Sequence, residues 1–211
     1  MFVKHEGYRC NAKPEGDYIS RGRKGETNMG LSVEQLKQVE EIFNSHGYND
    51  YKWIEPKKIV VSQWVRMKCK FGCGEYGRGG ACPPATPSVA ECKEFFNEYS
   101  DAVILHFEGL MDKPDDRHAW SSKINAKLVK LERAVFVAGF ERAFQLFMDS
   151  CCFCKDCTGS RETCKKPRMA RPAPEAMAVD VYTTVRQAGF KINVLSDYDQ
   201  KMDRFAFLMV H

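Results

Sequence analysis

The chain has 211 residues, 44% hydrophobic and 12% aromatic, and a net charge of +4 from 32 basic and 28 acidic residues. That apolar content excludes a mainly disordered protein, the length allows one substantial core, and a mild, evenly mixed charge makes no case for nucleic acid. The longest apolar runs, 102–105 and 134–140, are too short to cross a bilayer, so no membrane association is expected.

Residues 1–30 are rich in Gly, Lys, Arg, Asn and Glu without periodicity and read as a flexible N-terminal extension. They contain no apolar segment of the signal-peptide kind, which predicts a cytoplasmic chain with reduced thiols. Cys10 has no cysteine neighbour and reads as a free thiol. Residues 31–211 are expected to form a single domain.

In that domain Ser32 and Gln35 make a capping box, and Leu36, Val39 and Phe43 share one helical face until Gly47. Residues 48–56 read as a connection. Residues 58–67 are predicted as a strand from the bulk of Ile59, Val60, Val61, Trp64 and Val65. After a first cysteine group, Ser88 and Glu91 form a second capping box, opening a helix on which Val89, Cys92, Phe95 and Tyr99 share a face; Cys92 is read as a core residue.

Residues 102–107 then form a short strand, with His106 read as a satisfied buried histidine. Trp120, Ile124, Leu128, Leu131 and Val135 mark a long amphipathic helix, and 143–148 a strand that delivers the chain to a second cysteine group. Beyond it, Pro174 or Glu175 opens a helix carrying Met177, Val181 and Val185. Phe190, Ile192 and Val194 alternate as a strand, and 205–210 is the last strand. The predicted fold is therefore α/β, a mixed sheet of about five strands flanked by helices, with two cysteine-rich metal-binding loops at 69–84 and 151–167. Each loop follows a predicted strand and precedes a helix, so both are expected at one edge of the sheet, close together.

The cysteines carry the chemistry. Cys151, Cys154 and Cys157 are spaced C-x2-C-x2-C, the spacing with which bacterial ferredoxins wrap a [4Fe-4S] cluster. A zinc knuckle takes only two thiolates from one such turn; three within seven residues suit the face of a larger cluster. Cys164 follows six residues later, and either closes this cluster or reaches a second one. Zinc and redox-active or structural thiols are the alternatives.

The earlier group, Cys69, Cys73 and Cys82, lies in a loop of Gly and Pro whose backbone N–H groups can turn toward bound sulfur. It is not a phosphate loop. With three cysteines it would leave one iron of a cubane open to a small-molecule ligand. Glu75 is a candidate base or fourth ligand there, against the simpler reading of an exposed loop carboxylate. Lys155, Lys165, Lys166, Arg168 and Arg171 surround the later group as a basic face suited to an acidic redox partner, or merely solvated.

The chain resembles an uncharacterised family of predicted metal-binding proteins, found mainly in anaerobic archaea and bacteria. The residues that carry the resemblance are Cys69, Cys73, Tyr76, Gly77, Cys82, Pro83, Pro84 and Pro87. Gly139, Ala143, Cys151, Cys154, Cys157 and Cys164 continue it, and Pro167, Ala170, Arg171, Pro172, Glu175, Ala176, Asp180, Val181 and Gly189 complete it. The family pattern has glycine where Ala178 stands and one cysteine where Cys151 and Cys152 stand; the spacing favours Cys151 as the ligand. The resemblance implies metal binding and carries no settled activity.

Two functions of different class follow. One is an iron–sulfur protein, with one or two [4Fe-4S] clusters, serving electron transfer or accessory redox work with a partner protein. The other is an enzyme with a three-cysteine open-site cluster, for sulfur transfer or reductive chemistry. A zinc-binding interaction module is the third option. Radical chemistry of the S-adenosylmethionine type is disfavoured, because Tyr76 stands where its third cysteine would be. The sequence sets neither partner, substrate nor oligomeric state.

Overall fold

The computed structural model describes residues 30–111, 113, 116–197 and 200–211; Cys10 and nearly all of the predicted N-terminal extension lie outside them. At its centre strands β2 (Ala102–Gly109) and β4 (Met202–Met209) pair antiparallel along their whole length, Ala102 opposite Met209 and Gly109 opposite Met202. The short strands β1 (Tyr51–Ile54) and β3 (Phe144–Leu146) flank them, giving a four-stranded sheet in the order β1-β2-β4-β3. Every pairing is antiparallel.

This corrects the expected mixed sheet of about five strands. β2 and β4 are buried on both faces, so their sequences read as near-continuous apolar runs, a pattern shared with parallel strands. Alternate residues serve two cores. Val103, Leu105, Ala206 and Leu208 face helices α1 (Val33–Ser45) and α4 (Asp116–Val137), meeting Val39, Phe43, Leu128 and Leu131. Ala102, Ile104, Phe205 and Phe207 face the other way, toward Cys92 and Phe96 of α3 (Val89–Asn97) and Val181 and Val185 of α5 (Val181–Gln187). Leu128, Leu131 and Val135 are wholly buried, each contributing about 1.5–3 kcal/mol of transfer free energy.

Both capping boxes form: the Gln35 N–H donates to Ser32 Oγ at 3.2 Å, and that of Glu91 to Ser88 Oγ at 3.3 Å. The strand expected over 58–67 does not form. Pro56–Lys58 is a 3-10 turn, and helix α2 (Gln63–Gly72) begins after Ser62. The β-branched residues before it are extended but pair with the approach to α5: Val61 bridges Val179, and the Asp180 N–H donates to the Val60 carbonyl at 2.7 Å. Phe190 to Val194 pairs with no strand, and Arg186 Nη2 instead donates to the Ile192 carbonyl at 3.1 Å. The helix expected from residue 174 is broken by Ala178, whose φ of 60° lies in the left-handed region glycine enters without strain. A 3-10 turn, Glu175–Met177, precedes that break and α5 follows it.

Candidate metal centre

The first cysteine loop leaves the end of α2 rather than the end of a strand. Cys69 stands in the last turn of that helix and Cys73 just beyond it. Turns close the loop: the Gly77 N–H donates to the Pro83 carbonyl at 3.0 Å and the Cys82 N–H to that of Gly79 at 3.0 Å. Arg66 of α2 clasps its far end, donating to Thr86 Oγ1 at 3.2 Å and to the carbonyls of Pro87 and Ala176 at 3.0 Å.

The second loop is held by α4. Buried Asn125 donates to the Met148 carbonyl at 3.0 Å as the chain leaves β3, and Ser121 Oγ donates to Asp149 Oδ2 at 2.8 Å. At the returning end Arg171 Nη2 lies 2.8 Å from Glu132 Oε2, while Glu132 Oε1 also accepts from the Gln145 N–H at 3.1 Å. The sequence reading passed over Asn125 and Glu132. Their signal is polar residues at 121, 125 and 132, spaced four and seven apart along an otherwise apolar helix face.

The two loops then meet. Gly80 is pressed so close to Ser160 that an added Cβ would lie 2.5 Å from the Ser160 carbonyl oxygen. The Gly80 N–H donates to Cys157 Sγ at 3.5 Å. A cleft opens at this junction, walled by Cys82, Cys151, Cys154, Cys157 and Cys164 with Gly80 and Phe153. Cys82 thus faces the later group, while Cys69 and Cys73 stand outside the cleft wall. The expected proximity of the loops is found, although α2, not a strand, delivers the first of them.

The electrostatics are those of crowded thiols. Burial pushes Cys82 up to about 11, and the charges of Cys73, Cys69, Cys151 and Cys152 push the same way. Burial also raises Cys69 and Cys151, with Cys73 adding at the first and Cys152, Cys164 and Cys154 at the second. Cys157 goes down, because the N–H groups of Gly80, Gly159 and Thr158 and the Lys165 charge favour its thiolate. Thiols that repel one another as thiolates are stabilised together by a bound cation, so this donor set fits a metal group. Among the described residues no three His, Cys, Asp or Glu side chains stand close enough to grip one ion; the five thiols are spread around the cleft.

Cys92 is buried in the second core, its Sγ 3.6 Å from the Pro87 carbonyl and 4.0 Å from Met177 Sδ, as expected of a core residue. His106 is satisfied on both sides, Nδ1 2.7 Å from Asp50 Oδ2 and Nε2 3.0 Å from Asp203 Oδ1. Glu75 is exposed and pairs with Arg78 at 3.5 Å. Of the basic residues, Arg171 is committed to Glu132, Lys165 donates to the Asp156 carbonyl at 3.1 Å, and Lys166 to that of Phe153 at 2.8 Å. They brace the second loop as well as charging it.

Glu175 opens the 3-10 turn before Ala178. Its side chain is exposed on the surface, with buried Pro174 and Ala176 on either side of it in the chain. Loss of hydration pushes its carboxyl up to about 7, with the Asp149 charge acting the same way and Arg204 opposing. The Glu175 charge also contributes, less than burial and Cys73 do, to raising Cys69. Cys152, the extra cysteine, lies 3.5 Å from His118 Nδ1 on α4.

A family model described as predicted metal-binding protein (DUF2284) matches residues 52–210, a span that contains both cysteine loops. No curated protein and no solved structure matches the chain. Among the described residues no helix is long and apolar enough to cross a membrane.

Proposed function

The chain belongs to this family of predicted metal-binding proteins, and from that premise we propose that the cysteine-lined cleft binds a [4Fe-4S] cluster and that the protein works in electron transfer or as an accessory redox protein. Cys151, Cys154, Cys157 and Cys164 are the proposed ligands. The observation that carries this reading is the surroundings of Cys157: a backbone N–H of the other loop donates to its sulfur at 3.5 Å, the kind of contact that tunes cluster thiolates. Five thiols line one cleft, one more than a tetrahedral zinc site takes, which suits a polynuclear group. When bound, such a cluster supplies one-electron chemistry. The chain's part is to hold the thiolates, exclude water behind Phe153 and set the local charge with Lys165 and Lys166.

Glu175 favours a second reading, an enzyme. Cys69, Cys73 and Cys82 are one thiolate short of closing a cubane of their own, and the Glu175 carboxyl, raised to about 7, acts electrostatically on Cys69. The small-molecule ligand expected at this loop belongs to that reading.

Iron, acid-labile sulfide and zinc counted per chain on anaerobically purified protein test the proposal. About four or eight irons with matching sulfide, with about four lost in Cys157→Ser, agree with it. Zinc without sulfide sinks it.

A further inference from the structure

Helix α2 presents a row of apolar side chains to solvent. Trp64, Met67 and Phe71 recur at three and four residues, the spacing of a single helical face, and are 47%, 43% and 75% exposed. The opposite side is engaged: Val65 is buried, Arg66 reaches inward to Thr86, Pro87 and Ala176, and half-buried Cys69 stands among the cysteines. Three large apolar groups in one row differ from singly scattered surface residues, and aromatic and methionine side chains are what interface centres are rich in.

Charge says what covers them. Lys68 Nζ lies 5.7 Å over the Trp64 ring and Lys70 Nζ 5.5 Å over that of Phe71, so each ammonium is held against the apolar row. From residue 56 to residue 74 the chain carries Lys57, Lys58, Arg66, Lys68 and Lys70 and no Asp or Glu. An apolar strip edged by Lys68 and Lys70 is complementary to an acidic protein surface.

We infer that the outward face of α2, Trp64, Met67 and Phe71 edged by Lys68 and Lys70, is the docking surface for an acidic electron-carrier protein of the ferredoxin type. The inference rests on the iron–sulfur reading above, and adds to it the class of partner and the place where it binds.

The test uses the full-length, anaerobically purified chain with an acidic bacterial ferredoxin as the probe. Hydroxyl-radical footprinting is read at Trp64, Met67 and Phe71, and binding is titrated at low and high salt. The expected result is that the three side chains react freely in the chain alone and are protected several-fold by the ferredoxin, with affinity falling about tenfold or more as salt screens the contact. Lys68→Glu/Lys70→Glu and Phe71→Ser should each weaken binding about tenfold or more at unchanged iron content; the wild-type footprint stands even if a variant folds poorly.

Three outcomes overturn the inference: no protection at these positions, Met67 and Phe71 already shielded in the free chain, or shielding produced by phosphatidylserine vesicles or by self-association in place of the ferredoxin. A chain that holds zinc and no sulfide defeats the redox reading whatever the footprint. Iron and sulfide present without docking defeats this inference alone.

Discussion

The backbone N–H of Gly80 points at the sulfur of Cys157 across 3.5 Å, joining two loops whose residues stand 77 positions apart in the chain. The contact exists because Gly80 has no side chain: a Cβ there would press on the Ser160 carbonyl oxygen at 2.5 Å. Gly80→Ala must therefore drive the loops apart where the Gly80 N–H meets the Cys157 sulfur. The expected outcome is a folded protein with at most half the wild-type metal content and a loss of about 1–3 kcal/mol in stability, read by metal analysis and urea titration.

Cys92 and Cys157 make opposite predictions: one is a core residue of α3, the other a proposed ligand in the second loop. Cys92 is wholly buried between α3 and the 3-10 turn that carries Met177. Cys92→Ala should cost about 1–2 kcal/mol through a small cavity and leave metal content unchanged. Loss of metal in Cys92→Ala would mean that a ligand has been assigned to the core by mistake.

His106 links the sheet to the turn before β1. Burial disfavours its charge, but the hydrogen bonds to Asp50 and Asp203 outweigh burial and raise its pKa above the ordinary value of 6.5. A histidine raised in the folded state adds stability that is fully present below its unfolded pKa and is lost as pH rises through the folded one. His106→Gln should thus be destabilising by about 1–3 kcal/mol at pH ~6, and the gap to wild type should narrow by pH ~9. Chemical denaturation at the two pH values checks it; a gap that widens with pH contradicts the assignment.

Glu175 should also leave a mark on stability. Its carboxyl is raised from 4.5 to about 7, so the folded state holds a proton that the unfolded state has released. The stability this provides is present below about 4.5 and declines as pH rises through 7. Wild-type metal-free chain should lose stability across that window relative to Glu175→Gln, which keeps the neutral form throughout. Equal pH profiles for the two proteins would show that the Glu175 carboxylate is as well hydrated in the folded chain as in the unfolded one.

Local rules made several of these features legible in the sequence. Ser32 with Gln35 and Ser88 with Glu91 announce their helices because the capping box is closed within four residues. Cys92 and His106 were readable as core groups from their apolar settings; the two cysteine loops do meet, but the reason expected for it, a strand before each loop, fails at the first, which leaves helix α2. Sheet direction was not readable, because strands buried on both faces lose the alternation that marks an antiparallel strand with one wet face. β1 is four residues long, between a turn and Pro56, too short for a periodic signal. In α2 the residues of the 58–67 prediction split: the β-branched ones are extended, while Trp64 and Val65 belong to the helix, a boundary set by partners near Val179 and Ala178 that lie more than a hundred residues away. Glu175 and Glu132 drew no notice as chemistry because a single carboxylate has no pattern of its own.

Electron paramagnetic resonance on the anaerobically purified chain, before and after reduction with dithionite, tests the central claim most directly. A [4Fe-4S] cluster in the cleft predicts a spectrum that appears on reduction, integrates to about one spin per cluster, and is lost or altered in Cys157→Ser while Cys92→Ala keeps it. A protein that stays silent in both states and carries zinc at the cysteines would contradict the account.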